Sequence, residues 1–403
     1  MIKKQNVAVL TTARAEYYQL KGLLRNIQKS KLLTLQLFVS GSHLSSRHGK
    51  LEDDIIEKDR FSVCERLPII VDEDSGLGAA FTASLALQTV AAALYRNHSD
   101  LLILAGDRFE SLAAAQAAMC VGVPIAHLHG GELTEGAMDD MCRHAITKLS
   151  AAHFVSTEVY RARVIQMGEP AERVFNVGAL PLDEVAAIEP ISKKQLSKEL
   201  AMPIKHPLSL VAYHPATREK TDHATTIRET LNILAKMCKT IIITEPNQDP
   251  GREQILNEMR KFAESCPHAK CFTNLGSAIF LSVMKHADIM VGNSSSSLHE
   301  AASFRLPVVN IGFRQAERLC PRNVVNCSSN VESIRQAISQ ALSKNFREQL
   351  YDLKNPFGDG HAGERIVAEL EKLIPFSEKL YRKSFSDSIS VQSALQDWRR
   401  EHG

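Results

Sequence analysis

A chain of 403 residues is long enough for two domains, each with its own core. Hydrophobic residues make up 44% and charged residues 23%, the balance of a soluble globular protein. A formal net charge of +2 gives no global reason to expect a nucleic-acid or membrane partner, and leaves room only for a local basic pocket.

At the N-terminus the apolar run over 7–10 is too short for the core of a signal peptide. No stretch approaches the roughly 18 uninterrupted apolar residues of a membrane span. The 8 cysteines are scattered. Cys266 and Cys271 form one CxxxxC, with no second pair to complete a zinc site. They read as reduced thiols, which places the chain in the cytoplasm.

The spacing predicts a strand over 7–10, a helix over 15–30, and a strand over 35–39 that runs into Gly41-Ser42-His43. A helix over 81–95 precedes a buried strand over 101–104, which ends at Gly106-Asp107-Arg108. A helix over 110–120 leads to a strand over 124–128 that ends at His129-Gly130-Gly131-Glu132. A helix over 139–150 and strands over 153–156 and 174–177 complete the first half. The pattern then restarts with a strand over 209–213 leading into His214-Pro215, a helix over 226–237, and a strand over 240–244 leading to Pro246-Asn247. A strand over 289–291 opens onto Gly292-Asn293 and a serine run, followed by a helix over 298–304 and strands over 308–311 and 324–326.

Continuous apolar strands that alternate with helices imply parallel sheets covered on both faces. Two such units, joined near 180–205 by a polar stretch with three prolines, predict an α/β chain of two Rossmann-like domains. Their bounds are 1–182 and 190–360, followed by a tail over 361–403. The polar residues of interest stand just after predicted strands, where ligands of open α/β sheets bind. A cleft between the two domains is the simplest place for a site.

Several enzyme classes lose support. There is no GxGxxG after the first strand and no GxxxxGK[ST], so neither a dinucleotide fingerprint nor a P-loop is present. His299-Glu300 opens like HExxH, but position 303 is Ser.

Four constellations remain. Gly292-Asn293-Ser294-Ser295-Ser296-Ser297 followed by Glu300 reads either as a capped helix or as a phosphate cradle with a carboxylate for ribose hydroxyls. Asp107-Arg108 reads either as a helix cap with a surface arginine or as proton chemistry beside a phosphate. His127, His129, Glu132, Asp139, Asp140, Arg143 and His144 fall within 18 residues and read either as satisfied structural groups or as a site, the crowding favouring the site. Arg14, His43, His214 and Asn247 stand singly at strand ends, where each reads as structural or as a contact; apart from these four sets, Arg314-Gln315-Ala316-Glu317-Arg318 reads as a phosphate partner or as a solvated run.

Taken in order, certain segments resemble a known family. They are Arg14-Ala15-Glu16-Tyr17, Gly41-Ser42-His43, Gly106-Asp107-Arg108, His129-Gly130-Gly131-Glu132, and Asp139 with Arg143-His144-Ala145-Ile146-Thr147-Lys148-Leu149-Ser150. His214-Pro215, Gly292-Asn293-Ser294-Ser295, Arg314-Gln315 and Asn355-Pro356-Phe357-Gly358-Asp359-Gly360 continue the series. The ordered set is similar to the hydrolysing UDP-N-acetylglucosamine 2-epimerases of sialic acid and related nonulosonate synthesis, over about residues 7–370.

That resemblance implies a glycosyltransferase-B-like fold with the nucleotide sugar between the domains, and a C-terminal helical tail that packs back on the first domain. It also implies release of UDP and the free 2-epimer, no cofactor and no metal, and a homo-oligomer, dimer or tetramer. The family's catalytic positions fall on Asp107, Asp139 and His214, and its nucleotide contacts on Arg14, Ser294, Ser295 and Glu300. Many members carry glutamate where this chain has His129.

On this reading Asp107 and Asp139 form a proton-transfer pair, with His129 or His214 as proton donor or sugar anchor. His43, Arg108, Glu132, Arg143, Asn247, Asn293 and Arg314 join the substrate contacts. The expected substrate is UDP-N-acetylglucosamine, converted to N-acetylmannosamine and UDP. UDP-N,N'-diacetylbacillosamine suits the same nucleotide-facing motifs. A non-hydrolysing epimerase, a glycosyltransferase of the same fold and a silent nucleotide-sugar sensor are the rival readings.

Overall fold

The fold is taken from a computed structural model, which describes residues 3–44, 56, 59–71, 75–134, 138–215, 222–246, 251–316 and 318–402, with backbone only at 14, 15, 397, 401 and 402. The chain divides into two compact units. The first comprises Met1–Glu132, Ala137–Asp183 and Gly358–Gly403; the second comprises Leu133–Gly136 and Glu184–Phe357.

Seven strands form the first unit's sheet: β1 (Gln5–Thr11), β2 (Leu33–Ser40), β3 (Val63–Leu67), β4 (Leu101–Ala105), β5 (Ile125–Leu128), β6 (Ala152–Val155) and β7 (Val174–Asn176). Their order is β3-β2-β1-β4-β5-β6-β7, and every pairing is parallel. Leu101 to Ala105 is buried at every position, because helices cover both faces of a parallel sheet and leave no solvent side. The strand order reverses between β1 and β4, and this switch point opens a crevice at the carboxyl ends.

The helix Arg14–Lys29 lies on one face and packs against the helix Ala362–Lys372, so the C-terminal helix belongs to the first unit. Leu20, Leu23, Leu24 and Ile27 share a core with Ile366, Leu370 and Phe376. Asp183 fixes the junction by accepting from the Ala362 and Gly363 amides at 2.8 and 2.7 Å, satisfying helix N-terminal donors. Gly22 permits that approach, since a Cβ there would lie 2.6 Å from the Asp183 side chain.

The second unit holds six strands: β8 (Leu208–Ala212), β9 (Thr240–Thr244), β10 (Ala269–Phe272), β11 (Ile289–Gly292), β12 (Val308–Ile311) and β13 (Val324–Cys327). They run in parallel in the order β10-β9-β8-β11-β12-β13. Here the switch point falls between β8 and β11.

One local expectation is corrected. The continuous helix over 298–304 is instead a 3-10 turn, Ser295–Ser297, and one helical turn, Glu300–Ser303. Serine side chains compete for its backbone: Ser297 Oγ donates to the Ser294 carbonyl at 2.5 Å. In addition, among the described residues the helix Gly76–Arg96 is long and apolar enough to cross a membrane by length and composition. Its hydroxyls and glutamine interrupt the apolar run, and Gly78, Thr82, Ala86, Val90, Ala93 and Leu94 face the protein interior.

Candidate active site

The carboxyl ends of β1, β4 and β5 gather a dense set of charges. Arg143, on the helix Met138–Leu149, is the centre and is only 1% exposed. It pairs with Asp107, which follows β4. Its Nη1 donates to the Glu132 carbonyl at 3.0 Å and to Asp140 Oδ1 at 3.2 Å. Burial works against the Arg143 charge; Asp107, Glu132 and Asp140 more than offset it, so its pKa lies above the usual arginine value. His144 reaches Asp140 at 3.4 Å, one turn along the same helix.

A second arginine, Arg108, makes a two-pronged contact with Glu110, at 3.2 Å from Nε and 3.1 Å from Nη2. Burial lowers its pKa, and Glu110, Glu16 and Asp139 together raise it above the ordinary value. Arg108 therefore ties the first turn of the helix Arg14–Lys29 electrostatically to Asp139. Glu16 accepts from the Thr12 amide at 2.6 Å and from the Thr12 hydroxyl at 3.0 Å. Burial lifts its pKa to about 7, against the Thr12 bonds, His43 and Arg108. His43 is buried after β2, with Nε2 3.0 Å from Thr11 Oγ1 and its ring edge-on to Tyr17.

His129 follows β5 with φ of 63°, a left-handed conformation that histidine seldom adopts. Its Nδ1 lies 3.2 Å from Glu132 Oε1, and both side chains are largely enclosed. The loop beside it rests on His127, whose Nε2 meets the Gly106 carbonyl at 3.0 Å and whose Nδ1 meets Thr147 Oγ1 at 3.1 Å. A carbonyl only accepts, so the proton sits on Nε2. Burial holds the His127 pKa down to about 3, which keeps the ring neutral and the loop anchored.

In the second unit, Asn293 and His214 meet across the switch point. The His214 amide donates to Asn293 Oδ1 at 2.7 Å, and Asn293 Nδ2 donates to the His214 carbonyl at 2.9 Å. Arg314 and Gln315 each donate to the Asn293 carbonyl at 2.9 Å. Gly292 makes this possible at φ of 147°, where a Cβ would sit 2.0 Å from the Ala212 carbonyl. Burial and the neighbouring Arg314 push the His214 pKa to about 3, so it is neutral near pH 7 and has no cationic proton to give. Ser296 Oγ donates to Glu300 Oε1 at 3.1 Å, and Ser294 Oγ accepts from the Ser296 amide at 3.4 Å. Burial raises the Glu300 pKa.

Thus Asp107, Arg108, His129, Glu132, Asp139, Arg143 and His43 belong to the first unit, and His214, Asn293, Ser294, Ser295, Glu300 and Arg314 to the second. The Arg14 side chain and Asn247 lie outside the described residues. Arg143 and Glu132, expected at the substrate, have contacts within the charge cluster itself. Glu16 and Glu110 were given no role in the site from sequence, and His127 and Asp140 were read only as members of the ionisable cluster that follows the strand over 124–128. A glutamate in the first turn that reaches back over a threonine is a signal that points to Glu16. Among the described residues no group of three or more His, Cys, Asp or Glu side chains is arranged to hold a metal ion.

The model of the family described as UDP-N-acetylglucosamine 2-epimerase matches residues 25–371. The chain belongs to that family. It is 36% identical over 349 residues to the GDP/UDP-N,N'-diacetylbacillosamine 2-epimerase (hydrolyzing) of Campylobacter jejuni, covering 86% of this chain and 90% of that one. It is 32% identical over 383 residues to the UDP-N,N'-diacetylbacillosamine 2-epimerase (hydrolyzing) of Legionella pneumophila, covering 95% and 99%. Its fold matches the crystal structure of UDP-GlcNAc 2-epimerase from Neisseria meningitidis bound to UDP-GlcNAc, with a TM-score of 0.80 at 18% identity, over 91% of this chain and 100% of that one. Two parallel-sheet units with alternating helices, a glycosyltransferase-B-like fold, are therefore the fold of this chain.

Proposed function

We propose that this chain is a cytoplasmic hydrolysing 2-epimerase of a UDP-linked N-acetylamino sugar, with UDP-N,N'-diacetylbacillosamine as its substrate. Two relatives above 30% identity are named as hydrolysing 2-epimerases of nucleotide-linked N,N'-diacetylbacillosamine, one for the UDP form and one for the GDP or UDP form. UDP-N-acetylglucosamine is the second reading, favoured by the name of the family.

The chemistry explains why such a cluster is needed. The hydrogen on carbon 2 is not acidic beside an acetal carbon. It becomes removable as UDP leaves carbon 1 and positive charge develops next to it. Elimination gives a glycal; water then adds at carbon 1 and a proton at the opposite face of carbon 2. The reaction needs a base, an acid and stabilisation of the leaving diphosphate. Asp107, Asp139 and His129 supply the proton-transfer groups, and Arg14, Arg314 and the hydroxyls of Ser294 and Ser295 hold the diphosphate, with Glu300 on the ribose. His43, Arg108 and Asn247 complete the contacts. His214 acts as a neutral hydrogen-bonding group rather than as an acid.

The observation that carries this reading is the enclosed Arg143, paired with Asp107 while it touches the Glu132 backbone beside His129. Such an arrangement brings two proton-transfer groups to one buried cation. Incubation with each UDP-sugar, with products identified by proton NMR, tests it. Free UDP and the free 2-epimer are expected. A UDP-linked epimer identifies a non-hydrolysing epimerase, and sugar transferred to an added acceptor identifies a glycosyltransferase.

A further inference from the structure

His129 differs from its neighbour His127 in how its ring nitrogens are used. His127 spends both ring nitrogens on the protein, through the Gly106 carbonyl and Thr147. His129 spends only Nδ1, on Glu132; its Nε2 is buried and has no hydrogen-bond partner among the described residues. A buried polar atom without a partner costs about 1–3 kcal/mol, and it calls for an explanation. The backbone adds to this: His129 is held at φ of 63° while its amide donates to the Phe154 carbonyl at 2.9 Å. Strained, under-satisfied side chains of this kind concentrate where chemistry occurs.

Glu132 sets the state of that nitrogen. A carboxylate only accepts, so the imidazole donates from Nδ1, and in the neutral ring Nε2 then carries a lone pair. Glu132 is itself held in place. Its carbonyl accepts from Arg143 at 3.0 Å, and its charge helps stabilise that guanidinium, which also pairs with Asp107. We propose that Glu132 is a positioning residue that holds His129 with its proton on Nδ1, so that the Nε2 lone pair removes the carbon 2 proton of the substrate. This rests on the 2-epimerase reading above.

The step balances. Nε2 takes the proton, the C–H electron pair becomes the double bond between carbons 1 and 2, and the carbon 1–oxygen bond breaks with its electrons leaving on UDP. His129 becomes an imidazolium that faces the Glu132 carboxylate, and its proton is later lost to solvent. Water supplies the hydroxyl at carbon 1. A separate acid gives a proton to the opposite face of carbon 2 and is restored by the proton of that water.

The test is the tautomer of His129, read by long-range nitrogen–proton NMR on the full chain labelled with 15N-histidine. Comparison with His129→Gln assigns the signal. The wild type is expected to show a protonated Nδ1 and a bare Nε2. Glu132→Met removes the acceptor and is expected to move the proton toward Nε2, the site that free imidazole side chains prefer. In turnover, Glu132→Met is expected to lower kcat about 100-fold or more with KM within about threefold, and Glu132→Asp to restore part of it. A wild-type His129 protonated on Nε2 overturns the inference, as does a Glu132→Met spectrum identical to wild type. If that variant does not fold, the wild-type spectrum still decides. A wild type with the expected tautomer that turns over no UDP-amino sugar overturns the functional reading and leaves the grip of Glu132 on His129 standing.

Discussion

Asn293 and His214 exchange two hydrogen bonds, one in each direction, between the loops that follow β11 and β8. This single side chain thereby joins the loops on the two sides of the second unit's switch point, and the main-chain carbonyl of Asn293 receives both Arg314 and Gln315. Asn293→Ala leaves a buried amide and a buried carbonyl unpaired, at a cost of about 2–4 kcal/mol. It also loosens the turn that carries Ser294 and Ser295. The expected outcome is a lower denaturant midpoint and weaker UDP binding in calorimetry, even where the variant stays folded. UDP affinity equal to wild type would separate this turn from the nucleotide.

Asp107→Asn addresses the other half of the reaction. Asparagine keeps an oxygen near Arg143 but neither the charge nor the proton-transfer capacity. Turnover is expected to fall by at least about 100-fold. UDP affinity is expected to stay nearly intact, since the proposed diphosphate contacts lie elsewhere in the chain. Loss of UDP binding in a folded Asp107→Asn protein would contradict the assignment.

Acid sensitivity follows from the buried histidines. Burial holds the pKa values of His127 and His214 down to about 3 in the fold, against an ordinary 6.5. Between those limits the unfolded chain binds protons that the folded chain refuses. Their stabilisation is therefore complete above pH ~6.5 and declines as pH falls toward ~3, by about 1.4 kcal/mol per pH unit for each ring. Glu16 works in the opposite sense, because burial raises its pKa to about 7 in the fold, above the ordinary 4.5. His127→Gln keeps a donor for the Gly106 carbonyl and removes one titrating group. Urea unfolding of this variant between pH ~4 and ~6 is expected to show a pH slope shallower by about one proton. An unchanged slope would show that His127 titrates normally.

The C-terminal segment supports the helix that carries Arg143. Lys383 Nζ donates to the carbonyls of Lys148 and Ser150 at 2.7 and 2.6 Å, at the end of the helix Met138–Leu149, and pairs with the buried Glu169 at 2.8 Å. Glu169 also holds His153 at 2.9 Å and Lys148 at 2.6 Å. Lys383→Met leaves that carboxylate with less compensation and the helix end uncapped, for about 2–4 kcal/mol of destabilisation. Thermal unfolding of the variant checks this. A melting temperature within about a degree of wild type would show that the segment is not needed.

What the sequence made legible follows physical signal strength. Leu101–Ala105 and Ile125–Leu128 are unbroken apolar runs, so they were readable as buried parallel strands, and the polar residues after them as a site. Val63–Leu67 was missed because an edge strand with one buried position out of five carries a cysteine, a glutamate and an arginine. The predicted helix over 298–304 failed because serine hydroxyls captured the backbone locally. Within the site, residue types and order were visible, but enclosure was not. Arg143 was expected at the substrate from its residue type and position, while its enclosure and its pairing with Asp107 were not legible. Glu16 gave no chemical hint beyond its place in the helix's first turn, since its raised pKa arises from burial, which the sequence does not display.

Turnover in deuterated water, with the released sugar examined by proton NMR and mass spectrometry, tests the central claim most directly. One deuteron at carbon 2 of the free 2-epimer, appearing together with free UDP, is the predicted result. Release of UDP with the original hydrogen retained at carbon 2 would contradict it, because a protein that behaves so cleaves the sugar without inverting it.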